Sequence, residues 1–183
     1  AEYDVGGDTE GITQADPNED VVYIVDEPAF IRAYDVSTGR SPVLQTSWNI
    51  LSYLPFSFGG GLGPEGLTFV PDAALSAAGF VDGNGQLRTS QNGMGGLMFV
   101  VHQDGGNLYV FDLDRTNGSY DFVGQYITSH GESSGLEFDR SSGKLYIWHN
   151  TNGNIIEVND LTSVPTSGVL RAMTTRALIQ APK

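Results

Sequence analysis

The sequence predicts an all-β protein of the β-propeller class, and three observations favour this fold. Short runs rich in Val, Ile, Tyr, Phe and Leu alternate with clusters of Gly, Asn, Asp and Ser, as is typical of strands and turns. Helical periodicity is almost absent outside residues 71–79. One phrase, an acidic or hydroxyl-rich lead followed by Gly and a large apolar residue, occurs near residues 8–12, 63–67 and 131–136. A four-stranded unit repeated at this length indicates propeller blades.

Each repeat is predicted to supply the four strands of one blade. The predicted first strands are residues 11–14, 66–70 and 135–139, and the second strands are 21–27, 97–103 and 144–150. The third strands are 30–36, 107–113 and 154–160, and the fourth lie within 42–54, 120–128 and 169–179. We therefore expect one domain, residues 1–183, with blades at about 10–62, 63–130 and 131–183. Residues 1–9 would form the outer strand of a preceding or partner blade.

A β-sandwich with accidental internal similarity is the alternative fold. The register of the repeats argues against it, because aromatic residues align in the three second strands and polar residues align three positions later. The aligned residues are Tyr23, Phe99 and Tyr146, followed by Asp26, His102 and His149.

Three blades cannot close a ring, since propellers contain about four to eight. The chain is therefore predicted to be half of a six-bladed ring. Either a second copy completes the ring as a homodimer, or the remaining blades belong to a longer chain. In both cases, the apolar faces of the first and last blades must be covered.

Composition excludes several classes of function. The chain has 9 Lys and Arg against 22 Asp and Glu, a net charge of −13, which disfavours nucleic acid as a partner and favours cations. It has no Cys, which excludes disulfides and thiolate chemistry. No apolar run approaches the roughly 20 residues of a membrane span. The acidic, Cys-free composition and the start at Ala1 without Met favour a secreted, extracellular or periplasmic protein.

The repeated phrase begins with a carboxylate in two of its three copies. The first strand of a blade lies nearest the propeller axis, so Glu10 and Glu65 should converge on the central channel. The third copy has Ser134 at this place, with Glu132 two residues earlier. Converging carboxylates favour bound Ca²⁺, although hydrogen bonds to the backbone of adjacent blades are the alternative. The following Gly would let strands approach at the axis, and Ile12, Leu67 and Leu136 would pack between blades.

The ends of the second strands should rim the same mouth of the channel. They carry Asp26, His102 and His149. We predict Asp26 as a further metal ligand and the two histidines as catalytic proton-transfer groups, with a packing role for each histidine as the alternative. Ser133 follows His130 closely, but nothing in the sequence supports a catalytic triad there.

The repeated phrase resembles the calcium-dependent six-bladed propellers, namely the β-propeller phytases with their esterase-like relatives and the gluconolactonase and paraoxonase group. In the gluconolactonase group, a Glu in an E-G-apolar phrase is a metal ligand, and Glu10 and Glu65 stand at matching places. The resemblance implies a Ca²⁺-binding hydrolase. The phytases also use Lys and Arg to bind phosphate, for which Arg32 and Lys144 are the few candidates here.

These observations together predict a secreted Ca²⁺-binding propeller that hydrolyses a phosphoester or carboxylic ester at the channel mouth. A small-molecule ester would then be its partner. The rival hypothesis is a non-catalytic binding or scaffold module that displays loops to a glycan or a protein. An ion at the axis with an open coordination position would distinguish the two hypotheses.

Overall fold

A computed structural model describes residues 4–38, 41–55, 62–151, 153–162, 165–166, 169–170 and 175–180. Within these residues the chain forms three antiparallel sheets of four strands each, with a separate two-stranded ribbon. The predicted all-β class and the predicted four-stranded blades are confirmed.

The strands follow one another in blade order. Blade 1 contains β1 (Thr9–Thr13), β2 (Val21–Asp26), β3 (Phe30–Asp35) and β4 (Val43–Asn49). Blade 2 contains β5 (Pro64–Pro71), β6 (Gly96–His102), β7 (Leu108–Leu113) and β8 (Tyr120–Tyr126). Blade 3 contains β9 (Gly135–Asp139), β10 (Lys144–His149) and β11 (Ile155–Asn159), while β12 (Pro165–Thr166) and β13 (Val169–Leu170) form the ribbon. The outer strand of blade 3 is β14 (Thr175–Gln180), which pairs with β11.

The helical pattern after β5 is also observed. Helix α1 spans Asp72–Ala78 and ends at Gly79, whose φ of 66° is the left-handed conformation that terminates helices. A short 3-10 turn, Leu51–Tyr53, follows β4.

Two apolar cores hold the blades face to face. The core between blades 1 and 2 contains Tyr23, Trp48 and Phe111, all at most 1% exposed. The core between blades 2 and 3 contains Phe99 and Ile147, also at most 1% exposed. Because blade 2 packs on both neighbours, every residue of β6 and β7 is buried. Truncating one of these large side chains would remove about 3–5 kcal/mol of unfolding free energy.

The innermost strands β1, β5 and β9 are neighbours, as a propeller requires. Their glycines make this contact close: a Cβ on Gly11 would lie 2.6 Å from the Leu67 nitrogen. A Cβ on Gly66 would lie 2.8 Å from the Leu136 nitrogen. These distances are too short for any side chain, which confirms that glycine lets the strands approach at the axis.

The apolar residue after each glycine behaves differently in the three blades. Leu67 is 1% exposed, and Leu136 is half-buried against the core between blades 2 and 3. Ile12 is 65% exposed, because the blade that would pack against it is not among the described residues, so its packing between blades remains a prediction. Ile12 lines an open groove on this face of blade 1 together with Val5, Val22 and Ile24.

The outer faces of blades 1 and 3 both expose large apolar side chains. On blade 1 these include Val43 and Leu44, and on blade 3 they include Leu178 and Ile179, each about half exposed. The predicted closure by a second copy or by further blades remains a prediction.

The proposed outer strand at residues 1–9 is only partly within the described chain. Residues 1–3 lie outside it, residues 4–8 form no strand, and Thr9 begins β1. The predicted strand is therefore not observed in this chain, and the partner blade with which it would pair is still a prediction. No helix in the described part is long and apolar enough to cross a membrane.

Candidate functional site

Glu10 and Glu65 are each the extra residue of a β-bulge at the start of an innermost strand. In blade 1, the pairing shifts between Thr9 and Gly11, so Glu10 has no partner on β2. In blade 2, the pairing shifts in the same way around Glu65. A bulge twists its strand and re-aims the side chain of the extra residue, and bulges are frequent next to active sites. The two carboxylates therefore leave equivalent positions of adjacent blades.

Ser134 holds the equivalent position in blade 3. Its N–H donates to the Trp148 carbonyl at 2.8 Å, next to the pair formed by Gly135 and Trp148. Its Oγ is buried and has no hydrogen-bond partner among the described residues. The side chain of Glu132 accepts a hydrogen bond from Gln103 Nε2 at 3.2 Å. The Oε1 of Gln103 is likewise buried and unpartnered among the described residues.

Five carboxylates make up what we call the acidic mouth: Asp8, Glu10, Glu27, Glu65 and Glu132. Burial raises the pKa of Glu65 to about 7, and the charges of Glu10, Glu27, Asp8 and Glu132 contribute to the rise. Burial also raises the pKa of Glu10, with further contributions from Asp8 and Glu27. Every charge that shifts these two groups is negative.

The donor atoms at the mouth are of the kind that Ca²⁺ prefers, but no three of its carboxylates place oxygens within 4.8 Å of one another in the described part of the chain. This hard cation binds six to eight oxygen ligands, from carboxylates, amide carbonyls, backbone carbonyls and water. The carboxylates of Glu10, Glu65 and Glu132 are the candidate ligands, and Gln103, which donates to Glu132, has an unpartnered Oε1 among the described residues. A cation here would relieve the repulsion that adds to the effect of burial on the pKa of Glu65.

Asp26, the other predicted ligand, has partners of its own. It is 2% exposed and forms an ion pair with Arg32. It also accepts a hydrogen bond from the Phe30 N–H at 2.9 Å. The structure thus places Asp26 in a local ion pair at the end of β2, and its role as a metal ligand stays a prediction.

His102, predicted as catalytic, is buried against the hairpin that follows β6. Its Nδ1 lies 3.1 Å from the Asp104 nitrogen and 3.2 Å from the Asp104 carbonyl oxygen. Its ring meets that of Tyr109 edge to face, with centroids 6.3 Å apart. Burial lowers the pKa of His102, which favours the neutral ring. These contacts agree with the packing role that was the alternative, and they do not test catalysis.

His149, the second predicted catalytic residue, lies in a buried polar chain of blade 3. Its Nε2 lies 3.0 Å from Glu157 Oε2, and its Nδ1 lies 3.0 Å from the Glu132 carbonyl oxygen. Burial by itself would raise the pKa of Glu157. Hydrogen bonds from His149, Ser129 and Asn159 outweigh that effect and hold the pKa below its usual range. Glu157 is therefore an ionised carboxylate inside the blade.

Ser133, His149 and Glu157 are arranged in the order of a hydrolytic triad, but they cannot act as one. Ser133 Oγ lies 3.2 Å from His149 Nδ1, and His149 contacts Glu157 on its other side. However, Ser133 is fully buried and its hydroxyl donates to the Gly106 carbonyl at 2.6 Å. A nucleophile must reach its substrate and give its proton to the base, so this serine has a structural role.

Sequence reasoning missed Glu157 and Ser129, and it considered His130 only as a neighbour of Ser133. Glu157 was hidden within an apolar strand, IIEVN, where its burial could have been noticed as an isolated charge. His130 and Ser129 lie on the connection that precedes β9, and no periodicity marks such a segment. Ser129 donates its N–H to Glu157 at 2.7 Å, and its Oγ lies 2.8 Å from His130 Nδ1.

Comparisons with known proteins agree with the propeller architecture. No family model matches the chain, and no curated protein matches it in sequence. It is similar in structure to the periplasmic gluconolactonase PpgL of Pseudomonas aeruginosa, with 15% identity and a TM-score of 0.50 over 88% of this chain and 37% of that one. A protein from Lactobacillus plantarum matches with 15% identity and a TM-score of 0.54, over 94% of this chain and 42% of that one. The chain thus spans about two fifths of the length of these proteins, and at such identity the likeness concerns the fold.

Proposed function

We propose that this chain is part of a propeller hydrolase that binds Ca²⁺ at the acidic mouth and cleaves carboxylic esters, lactones among them. The observation that carries the proposal is the pair of bulges that present Glu10 and Glu65 from equivalent positions of adjacent blades. The similarity in fold to a gluconolactonase supports the choice of a lactone as the first substrate to test.

The residues of the mouth have separable tasks in this proposal. Glu10 and Glu65 hold the cation, and Glu132 joins them from blade 3, fixed by its hydrogen bond from Gln103. When bound, Ca²⁺ supplies a Lewis acid that polarises the ester carbonyl and makes bound water more acidic. The close packing of Gly11 against Gly66 and Leu67 keeps the backbone segments that carry the two carboxylates in contact.

A carboxylic ester suits the site better than a phosphoester. Four arginines have described side chains, and all four are engaged elsewhere. Arg32, Arg88 and Arg115 form ion pairs with Asp26, Asp112 and Glu19, and Arg140 donates to the Gln14 and Ala15 carbonyls. The described part of the mouth therefore offers a phosphate no guanidinium beyond the paired Arg32, and its own charge is negative.

A calcium-dependent mouth suits a secreted or periplasmic protein. Extracellular Ca²⁺ modules work with dissociation constants of about 10⁻⁴–10⁻³ M, which half-buried carboxylates on a rigid frame can reach. A site with such a dissociation constant would be empty in the cytosol, where the Ca²⁺ concentration is far lower.

The first test is stabilisation by Ca²⁺. Because a ligand that binds only the folded state stabilises it by mass action, the melting temperature should rise in excess Ca²⁺ relative to excess chelator. Glu10→Gln and Glu65→Gln should each reduce this rise. Asp121→Asn is the matched control, since Asp121 is a 60% exposed acid at the opposite end of blade 2. Equal melting curves with and without Ca²⁺ would contradict the proposal.

The second test is turnover of an aryl ester and of a sugar lactone by the complete ring. Hydrolysis that requires Ca²⁺ and is lost in Glu65→Gln supports an enzyme. Ca²⁺ binding without turnover of either substrate would favour the rival function, a binding module that displays its loops to a glycan or a protein.

A further inference from the structure

A second group of potential ligands lies in blade 3, beside the acidic mouth and chemically distinct from it. One ring nitrogen of His130, one of His149 and a carboxylate oxygen of Glu157 all lie within 4.8 Å of one another. His149 and Glu157 are at most 1% exposed, whereas His130 is half-buried. The group is thus rigid on its inner side and reachable from solvent on its outer side.

The partners of His149 decide which of its nitrogens carries a proton. Its Nδ1 faces the Glu132 carbonyl oxygen at 3.0 Å and Ser133 Oγ at 3.2 Å. Ser133 has already given its only proton to the Gly106 carbonyl, so both neighbours of Nδ1 are acceptors. Nδ1 is therefore the donor, and in a neutral ring the lone pair is on Nε2.

That lone pair would point at a carboxylate oxygen. Nε2 lies 3.0 Å from Glu157 Oε2. The same oxygen receives the Ser129 N–H, and Asn159 Nδ2 donates to Oε1 at 2.8 Å, so Glu157 is held as an acceptor only. Two lone pairs cannot face each other at this distance without a cation between them, which is either a second ring proton or a metal ion.

His130 lies beside the same point. The Ser129 hydroxyl donates to Glu157, so its oxygen accepts from His130 Nδ1 at 2.8 Å. This hydrogen bond leaves Nε2 of a neutral His130 with a lone pair. The ring lies beside that of His149, with centroids 4.9 Å apart.

We propose that His130, His149 and Glu157 form a binding site for a divalent transition metal, of which Zn²⁺ is the first candidate. Two imidazoles and one carboxylate are a ligand set that Zn²⁺ accepts, with an open position for water. Imidazole favours Zn²⁺, Co²⁺, Ni²⁺ or Cu²⁺ and does not favour Ca²⁺, which binds oxygen. The bond from His149 Nδ1 to a backbone carbonyl is the usual outer contact of a metal-bound histidine.

The geometry needs one small adjustment. Zn–N bonds are about 2.0–2.1 Å, so tetrahedral ligand atoms lie about 3.4 Å apart. His149 and Glu157 are already close to that separation. His130, half-buried on a connecting segment, is the side chain that can move inward. Ser129, which contacts both His130 and Glu157, acts as a positioning residue.

Metal titration of the purified chain tests the proposal. Co²⁺ added in the presence of excess Ca²⁺ should give the d–d absorption of a site with nitrogen ligands, at one equivalent, and Zn²⁺ should abolish it by displacement. His130→Ala should remove this absorption at Co²⁺ concentrations that saturate the original chain. Ser129→Ala should weaken binding by about 10- to 100-fold, the effect usual for residues that orient a ligand.

Glu65→Gln is the matched control, because it alters the mouth and leaves the three ligands intact. It should bind Co²⁺ as the original chain does while losing part of its response to Ca²⁺, so failure of one site is distinguishable from failure of the other. His130→Ala is expected to fold, since its side chain is partly exposed, and its melting curve is recorded alongside. Absence of Co²⁺ absorption in the original chain, or unchanged absorption in folded His130→Ala, would overturn the proposal and leave a proton as the bridging cation.

Discussion

Blades 1 and 3 place a polar pair at the same point of the same backbone frame, with different outcomes. Asp26 on β2 lies diagonal to Arg32 on β3, and His149 on β10 lies diagonal to Glu157 on β11. In blade 1, the acid and the base form an ion pair between two neighbouring strands. In blade 3, the acid is on the other strand, and it links His149 to Ser129 and so to His130.

Blade 2 has a third kind of residue pair at this diagonal position. His102 and Tyr109 occupy the equivalent positions and meet edge to face. One backbone position therefore holds an ion pair, an aromatic contact or a histidine–carboxylate chain. The difference indicates that the apolar cores and the axial glycines determine the backbone structure of the blade. The residues at this diagonal position can therefore vary and can include functional groups.

The largest expected effect comes from removing the acid of each pair. Glu157→Ala should lower the unfolding free energy by about 3–5 kcal/mol, because the buried donors of His149 and Asn159, together with the Ser129 N–H, lose their acceptor. Asp26→Ala should cost less, about 1–3 kcal/mol, because Arg32 is 24% exposed and can turn its charge to water. Urea denaturation of both variants measures the difference, and equal losses would show that the two pairs contribute alike.

The shared frame can be broken at an axial glycine. Gly66→Ala should cost about 1–3 kcal/mol, because its Cβ would lie 2.8 Å from the Leu136 backbone nitrogen and force blades 2 and 3 apart. Gly131→Ala is the control, since no atom lies within 4 Å of its Cβ position. Thermal melting compares the two, and a neutral Gly66→Ala would mean that the blades are not packed this tightly.

The two acidic regions should respond to pH in opposite directions. The pKa of Glu65 is raised to about 7, so its contribution to stability is full below its unfolded value near 4.5 and is lost as pH rises through about 7. The pKa of Glu157 is lowered, so its contribution is present above the usual glutamate range and is lost as the pH falls below it.

Glu65→Gln separates these two effects. In chelator at pH 8, it should stabilise the chain by about 1 kcal/mol, a modest gain because solvent screens a half-buried group. At pH 4 it should change little, and the loss of stability on further acidification, which belongs to Glu157, should remain. If the stability of Glu65→Gln declined between about pH 4.5 and 7 as steeply as that of the original chain, the assignment would be contradicted.

The blades were predictable because their signals are local. Strands of alternating or wholly apolar residues bounded by Gly, Asn and Asp place β2, β6 and β10 to within one residue at each end. The E-G-apolar phrase also indicated the axial contact, because only glycine permits such an approach. For Ile12 the same reasoning remains a prediction, since a further blade or a second copy would have to cover the face on which it lies.

The sequence was sufficient to establish the blade repeat, the acidic character of the mouth and the need for glycine at the axis, because each depends on residues that are near one another in the chain. The bulges at Glu10 and Glu65 could be seen only in the folded protein, since a bulge is a shift between two strands and leaves no mark on either. The grouping of His130, His149 and Glu157 also needed the tertiary structure. Residues 130 and 157 are 27 positions apart in the chain, and the group forms only when β10, β11 and the segment before β9 pack together. The hydrogen bonds that hold Glu157 ionised arise from that packing.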